Sequence, residues 1–292
     1  MMAKEIKIHT PLGFSDFGQR DVQQDCTFPS VDGLSADDRL FVICDGMGGH
    51  SHGEIASKTI IDSIIKQYNS ATEPFLNSKK VKVIIETAWS DLDSHYNPEF
   101  GDRQMGTTIA FLHLATNKYI AAHIGDSRIY HIRPAKVTEI IYRSIDHTHV
   151  SALLSNGDIS PIDALKYDNK NILNKALIPH TRYDADIYES NDIQIGDYFM
   201  LCSDGVVENL TEEMIRFIFS PYRSPEEIFE LIHLHCQQLS LDNNSCIIIP
   251  VADICNNTDI TQLPANEKEH SLIWQEDELL KESIKLLNNN KR

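Results

Sequence analysis

Short runs of apolar, mostly β-branched and aromatic residues, bounded by Gly, Asp or Asn, recur along the chain. They fall at 40–44, 107–114, 119–124, 129–132, 198–202 and 246–249 and predict strands. Asn117-Lys118 and Gly125-Asp126-Ser127 separate neighbouring runs by so few residues that each predicts a hairpin turn. A period near 3.6 takes over at Ala56, Ile60, Ile61, Ile64 and Ile65, and again at Val81, Ile84, Ile85, Ala88, Trp89 and Leu92. A further helix opens at Ser224-Pro225-Glu226-Glu227, where Ser224 caps, Pro225 suits the first turn and Glu227 completes a capping box. Ile228, Leu231, Ile232, His235 and Leu239 then follow one face.

Strands that follow one another through tight turns pair antiparallel, so the order predicts an α+β fold rather than a doubly wound sheet. After Val251 the chain turns polar through Asn256-Asn257-Thr258-Asp259. An amphipathic stripe then runs from Leu272 to Leu287. The expected division is a domain over 1–252, followed by a polar linker and a terminal helix over 253–292.

The chain has 292 residues, 41% of them hydrophobic, enough for a sizeable core. Its net charge of −17 argues against nucleic acid or an anionic membrane as the main partner and is compatible with carboxylates that gather cations. Met1 to Lys7 contain no apolar run and no longer run could span a bilayer, so neither a signal peptide nor a membrane segment is expected. Cys26, Cys44, Cys202, Cys236, Cys246 and Cys255 show no CxxC spacing. Buried free thiols in a reducing cytoplasm are expected, not a zinc site.

Three aspartates stand at comparable places. Asp45 follows the run ending at Cys44, Asp204 follows Cys202-Ser203, and Asp242 lies just before Cys246. Taken singly, each Asp-Gly or Asp-Asn is ordinary turn chemistry. Taken together, carboxylates converging from strand ends repel one another until a cation sits among them, and hard oxygen ligands select Mg²⁺ or Mn²⁺. Two such ions sharing a carboxylate would acidify a water held between them.

The ordered set of motifs resembles the metal-dependent protein phosphatases, the type 2C serine/threonine family, and its bacterial members above all. The matching segments are Arg20 to Gln24-Asp25, Val42-Ile43-Cys44-Asp45-Gly46-Met47-Gly48-Gly49-His50, Gly53-Glu54-Ile55-Ala56-Ser57, Gly106-Thr107-Thr108, Gly125-Asp126-Ser127-Arg128, Asp146-His147-Thr148, Ser203-Asp204-Gly205 and Asp242-Asn243-Asn244-Ser245. The resemblance implies two packed antiparallel β-sheets flanked by antiparallel helices, an αββα sandwich. It also implies two or three Mn²⁺ or Mg²⁺ ions, and hydrolysis of phosphoserine or phosphothreonine by a metal-bridging hydroxide.

By the same resemblance Asp45 bridges the metals, Gly46 offers its carbonyl oxygen, Asp204 and Asp242 complete the second position, and Asp25 acts through waters. Asp126, with Asp204, holds a third and weaker ion. Arg20 binds the substrate phosphate, and Asp146-His147 with the following stretch 148–175 contacts substrate rather than doing chemistry. Gln24 stands where some relatives carry Glu. Met47 stands where some carry a His that protonates the leaving alkoxide, so that proton is expected from water. His50 is expected to serve helix entry, and His113, His123 and His131, alternating within strands, to pack rather than ligate. The implied partner is a phosphorylated protein, with a Ser/Thr kinase or its targets as candidates. Two readings compete: a docking module that has kept the fold, and a two-metal nuclease or phosphodiesterase. The intact aspartates weigh against the first, and the acidic charge against the second.

Overall fold

The computed structural model describes residues 5–47, 52–70, 76–95, 105–165, 167, 172–208 and 210–255. The chain runs β1 (Glu5–Ile8), β2 (Leu12–Asp16), β3 (Asp25–Phe28), β4 (Leu40–Met47), α1 (His52–Ser70), α2 (Ser78–Ser94), β5 (Gly106–Thr107), β6 (Ile109–Leu114), β7 (Tyr119–Ile124), β8 (Arg128–Arg133) and β9 (Glu139–Arg143). It continues through α3 (His149–Asn156), α4 (Pro161–Leu165), β10 (Asp186–Ser190), β11 (Tyr198–Cys202), α5 (Asp204–Val207), α6 (Glu212–Ile218), α7 (Pro225–Leu239) and β12 (Asn244–Cys255).

Two antiparallel sheets form. One has the order β1-β12-β11-β8-β9, with β2 also on β12. The other has the order β10-β7-β6-β4-β3, with β5 on β4. The side-chain alternation of β4 explains the layering. Phe41 and Ile43 point between the sheets, against Leu112, Ala121, Phe199, Leu201, Ile247 and Ile249. Leu40, Val42 and Cys44 point outward, where Ile60, Ile64, Val81 and Ile85 of α1 and α2 cover them. On the other outer face Met200, Cys202 and Ile248 meet Ile215, Ile228 and Ile232 of α6 and α7. Both faces of the central strands are therefore buried, which is why they read as continuous apolar runs. The α+β, αββα expectation is met, and the Ser224–Glu227 capping box forms as expected.

The structure corrects three expectations. Gly125-Asp126-Ser127 is not a hairpin turn: β7 and β8 belong to different sheets, and these residues carry the chain across the sandwich. The run at 107–114 is broken at Thr108, whose N–H donates to Asp45 O (2.9 Å) and whose hydroxyl accepts from Asp45 N (3.0 Å). Asp45 and Gly46 lie inside β4 rather than after it. Strands β1, β2, β3, β9 and β10 had no sequence signal, being short or half-exposed. The amphipathic stripe from Leu272 to Leu287, and His50, lie outside the described residues. No helix among the described residues is long and apolar enough to cross a membrane.

Candidate active site

Strand register assembles the site. In the β3–β4 ladder Asp25 stands directly opposite Asp45, while Gly46 N donates to Gln24 O (3.1 Å). The Asp25/Asp45 pair therefore falls at a non-hydrogen-bonded position, where opposed side chains approach most closely. From the other sheet come Asp204, opening α5 just after β11, and Asp242, just before β12. Asp126, from the crossing connection, is buried and faces Asp204. The carboxyl groups of Asp45 and Asp204 lie within mutual hydrogen-bonding reach, and Asp25 and Asp126 both act on Asp45.

A hydroxyl relay fixes this geometry. Ser203 Oγ donates to Asp25 Oδ2 (2.7 Å) and accepts from Ser245 N (2.9 Å). Ser245 Oγ contacts Ser15 Oγ (2.8 Å). The side chain of Asn243 staples the N-terminal loop: its Oδ1 accepts from Gln24 N (2.9 Å), and its Nδ2 donates to Phe17 O (3.1 Å) and Val22 O (3.0 Å). That loop holds Arg20 at the rim, where its guanidinium pairs with Asp242 Oδ2 at 2.7 Å. The roles of Ser203, Ser245, Asn243 and Thr108 were missed from sequence, although all four sit inside the quoted motifs. Nothing in residue type separates a relay hydroxyl from a turn hydroxyl.

Such crowding is costly for bare carboxylates. Burial, reinforced by neighbouring aspartates, pushes Asp25 and Asp126 up to about 7 and Asp45 well above the ordinary carboxylate range, and it raises Asp204. Asp25 Oδ1 and Asp204 Oδ1 are buried without a hydrogen-bond partner among the described residues. Orphaned, hard oxygen atoms in a nest of carboxylates are the donor set of a divalent cation of the Mg²⁺ or Mn²⁺ kind. The residues present fit such ions.

Groups raised from 3.8 to about 7 stabilise the metal-free fold at acid pH, and that stability is lost as the pH climbs through about 7. Cations bind the ionised form. The rise in melting temperature produced by Mn²⁺ is therefore expected to grow between about pH 5 and about pH 8. Thermal unfolding with Mn²⁺ and with chelator checks it, and a pH-independent rise contradicts it.

His113, His123 and His131 are buried. His131 is fully buried and contacts Asp197 Oδ2 (2.8 Å), His113 Nε2 accepts from Leu76 N (3.2 Å), and His123 Nε2 donates to Ile145 O (2.8 Å). Cys44, Cys202, Cys236 and Cys246 are free and buried, and Cys26 is free and half-buried.

The sequence profile described as Protein phosphatase 2C matches residues 13–227. The Mycobacterium tuberculosis serine/threonine protein phosphatase PstP is 28% identical over 222 residues, which cover 76% of this chain and 42% of that protein. The chain thus matches less than half the length of that relative. The Listeria monocytogenes serine/threonine phosphatase stp is 24% identical over 219 residues, 74% of this chain and 85% of that one. Among solved structures, the catalytic domain of PstP in complex with 2 manganese ions superposes with a TM-score of 0.68 at 26% identity, covering 85% of this chain and 100% of that one. The Staphylococcus aureus phosphatase Stp1 shares the fold at a TM-score of 0.72 and 24% identity, over 85% of this chain and 98% of that one. With the profile spanning every aspartate of the cluster but Asp242, and with relatives that agree in fold across the sandwich, this chain belongs to the protein phosphatase 2C family.

Proposed function

We propose that this protein is a metal-dependent protein serine/threonine phosphatase that hydrolyses phosphoserine and phosphothreonine. The observation that carries the reading is the convergence of Asp25, Asp45, Asp126, Asp204 and Asp242 from both sheets, with orphaned oxygens on Asp25 and Asp204 and Arg20 at the rim. Asp45, the Gly46 carbonyl, Asp204 and Asp242 would hold two cations, with Asp25 acting through waters. Asp126 with Asp204 would hold a third. Bound there, divalent ions supply Lewis acidity, lowering the pKa of water and offsetting charge on phosphoryl oxygens.

The chain does the rest. Ser203 locks the Asp25 carboxylate by its hydroxyl, and the Thr107 and Thr108 hydroxyls fix the Asp45 backbone. Arg20 uses one nitrogen on Asp242, so its remaining N–H groups are available to grip a phosphoryl dianion and align it for in-line attack. Met47 offers no proton, so the leaving alkoxide takes its proton from water. The net charge of −17 favours compact phosphorylated side chains, with local cations to receive them, over a polyanionic polymer. A reducing cytoplasm suits the free thiols, and a Ser/Thr kinase acting on the same targets is the natural counterpart.

Hydrolysis of a phosphothreonine peptide is expected with Mn²⁺ and not with chelator. Arg20→Ala is expected to lower kcat/KM by about 10- to 100-fold, mainly through KM. Absence of turnover at any Mn²⁺ concentration would favour the docking-module reading.

A further inference from the structure

Outside the aspartate cluster, His123, His147 and Asp186 bring one ligand-type atom each to within 4.8 Å of one another, a grouping a transition metal could use. The hydrogen bonds assign it another job. His147 Nδ1 accepts from the Gly125 N–H (3.1 Å), and a main-chain donor cannot rotate away. The ring proton therefore sits on Nε2, which donates toward Asp186 Oδ2 at 3.2 Å. The Lys175 ammonium occupies the cation's place, 3.1 Å from Asp186 Oδ1. A metal on His147 Nε2 would need the opposite tautomer and would forfeit the Gly125 bond.

What this arrangement grips is the crossing connection that carries Asp126. Gly125 and His147 bond reciprocally, since His147 N also donates to Gly125 O (2.9 Å). The His147 ring is stacked on His123, with centroids 4.6 Å apart and planes inclined by 9°. From the opposite side Thr108 confines the turn. Gly125 has φ +103° and has no room for a Cβ, which would lie 2.5 Å from Thr108 Cγ2. Thr108 Oγ1 also contacts Ser127 Oγ (2.6 Å). His147 further opens the stretch 148–175, whose two ends are joined where Asn174 N donates to His147 O (2.9 Å) and Thr148 bridges Leu173.

We propose that His147 is a positioning residue for the metal site: it clamps the Gly125-Asp126 turn so that the Asp126 carboxylate faces Asp204, with Asp186 fixing its tautomer. The proposal rests on the phosphatase reading in one respect, that Asp126 is a cation ligand. His147→Phe keeps a flat ring for the His123 stack and removes the acceptor. His147→Asn restores an acceptor for Gly125 N–H through its amide oxygen. Asp186→Asn, on a half-exposed strand residue, perturbs the tautomer without threatening the fold.

Calorimetric titration of metal-free protein with Mn²⁺ is the test, with thermal unfolding of each variant alongside. His147→Phe is expected to weaken the weakest Mn²⁺ step by about 10-fold or more while the tighter steps are unchanged. His147→Asn should recover most of that loss, Asp186→Asn should show a smaller weakening of the same step, and His147→Phe should add nothing in an Asp126→Asn background. Equal weakening of all steps, failure of the Asn variant to rescue, or a full additional loss beyond Asp126→Asn would overturn the proposal. If Asp126→Asn removes the weak step and His147→Phe does not, the positioning role alone fails. If Asp126→Asn leaves Mn²⁺ binding intact, the ligand role of Asp126 fails and the proposal with it.

Discussion

Asp45→Asn is expected to abolish Mn²⁺-dependent hydrolysis of a phosphothreonine peptide, by about 10³-fold or more, which corresponds to about 4 kcal/mol of transition-state stabilisation. Asp45 lies against both Asp25 and Asp204, so its carboxylate is the one both cation positions would share. The amide is nearly isosteric and keeps the backbone bonds to Thr107 and Thr108, so the strand is undisturbed. The same substitution removes one member of a set of mutually repelling, buried acids. The metal-free variant should therefore melt higher than the parent, by about 2–4 °C for each kcal/mol of strain relieved in a chain of this size. Activity and thermal unfolding, measured on one preparation, separate the outcomes. Retained turnover would show that the aspartates do not form the reaction centre, and a lower melting temperature would show that their crowding is not repulsive.

Gly46→Ala is expected to destabilise the fold by at least about 4 kcal/mol, enough for the variant to be recovered largely insoluble. A Cβ at this position would lie 2.2 Å from Gly53 O, 2.5 Å from Gly53 C and 2.6 Å from Gln24 O, all backbone atoms. Neither neighbour can yield. Gln24 O accepts from Gly46 N–H (3.1 Å) and from the Ser57 hydroxyl (2.6 Å), and Gly53 lies in the first turn of α1, against the strand. The requirement is mutual, because a Cβ on Gly53 would sit 2.6 Å from Gly46 C. Gly33, with nothing within 4 Å of its would-be Cβ, is the control, and Gly33→Ala should stay within about 0.5 kcal/mol of the parent in urea unfolding. Equal stability of the two alanine variants would refute the close approach of helix to strand.

The central strands and the three long helices were legible because burial on one or both faces writes itself into residue type. In β4, 40–44 is entirely apolar, and α1 and α2 carry their buried residues at the spacing the sequence announced. The edge strands were not legible. Glu5–Ile8 is only four residues long, with Glu5 and Lys7 exposed, and Asp186–Ser190 carries polar residues over most of its length. The connection at Gly125-Asp126-Ser127 looked like a hairpin because local sequence encodes a sharp reversal but not which sheet the next strand joins. Asp45, Asp204 and Asp242 were identifiable as candidates from their place beside apolar runs, and Asp25 and Asp126 only through the family resemblance. Their convergence was not, since Asp25 and Asp242 meet through a register and a cross-sheet staple by Asn243 that no single segment contains.

Asp25 and Asp45 hang from one sheet while Asp204 and Asp242 hang from the other, so ions held among them would be fasteners as well as reagents. Chemistry and the closure of one sandwich edge become a single variable. On the phosphatase reading, a molecule that wedged the two layers apart along this edge would silence turnover without entering the cleft or resembling a phosphate.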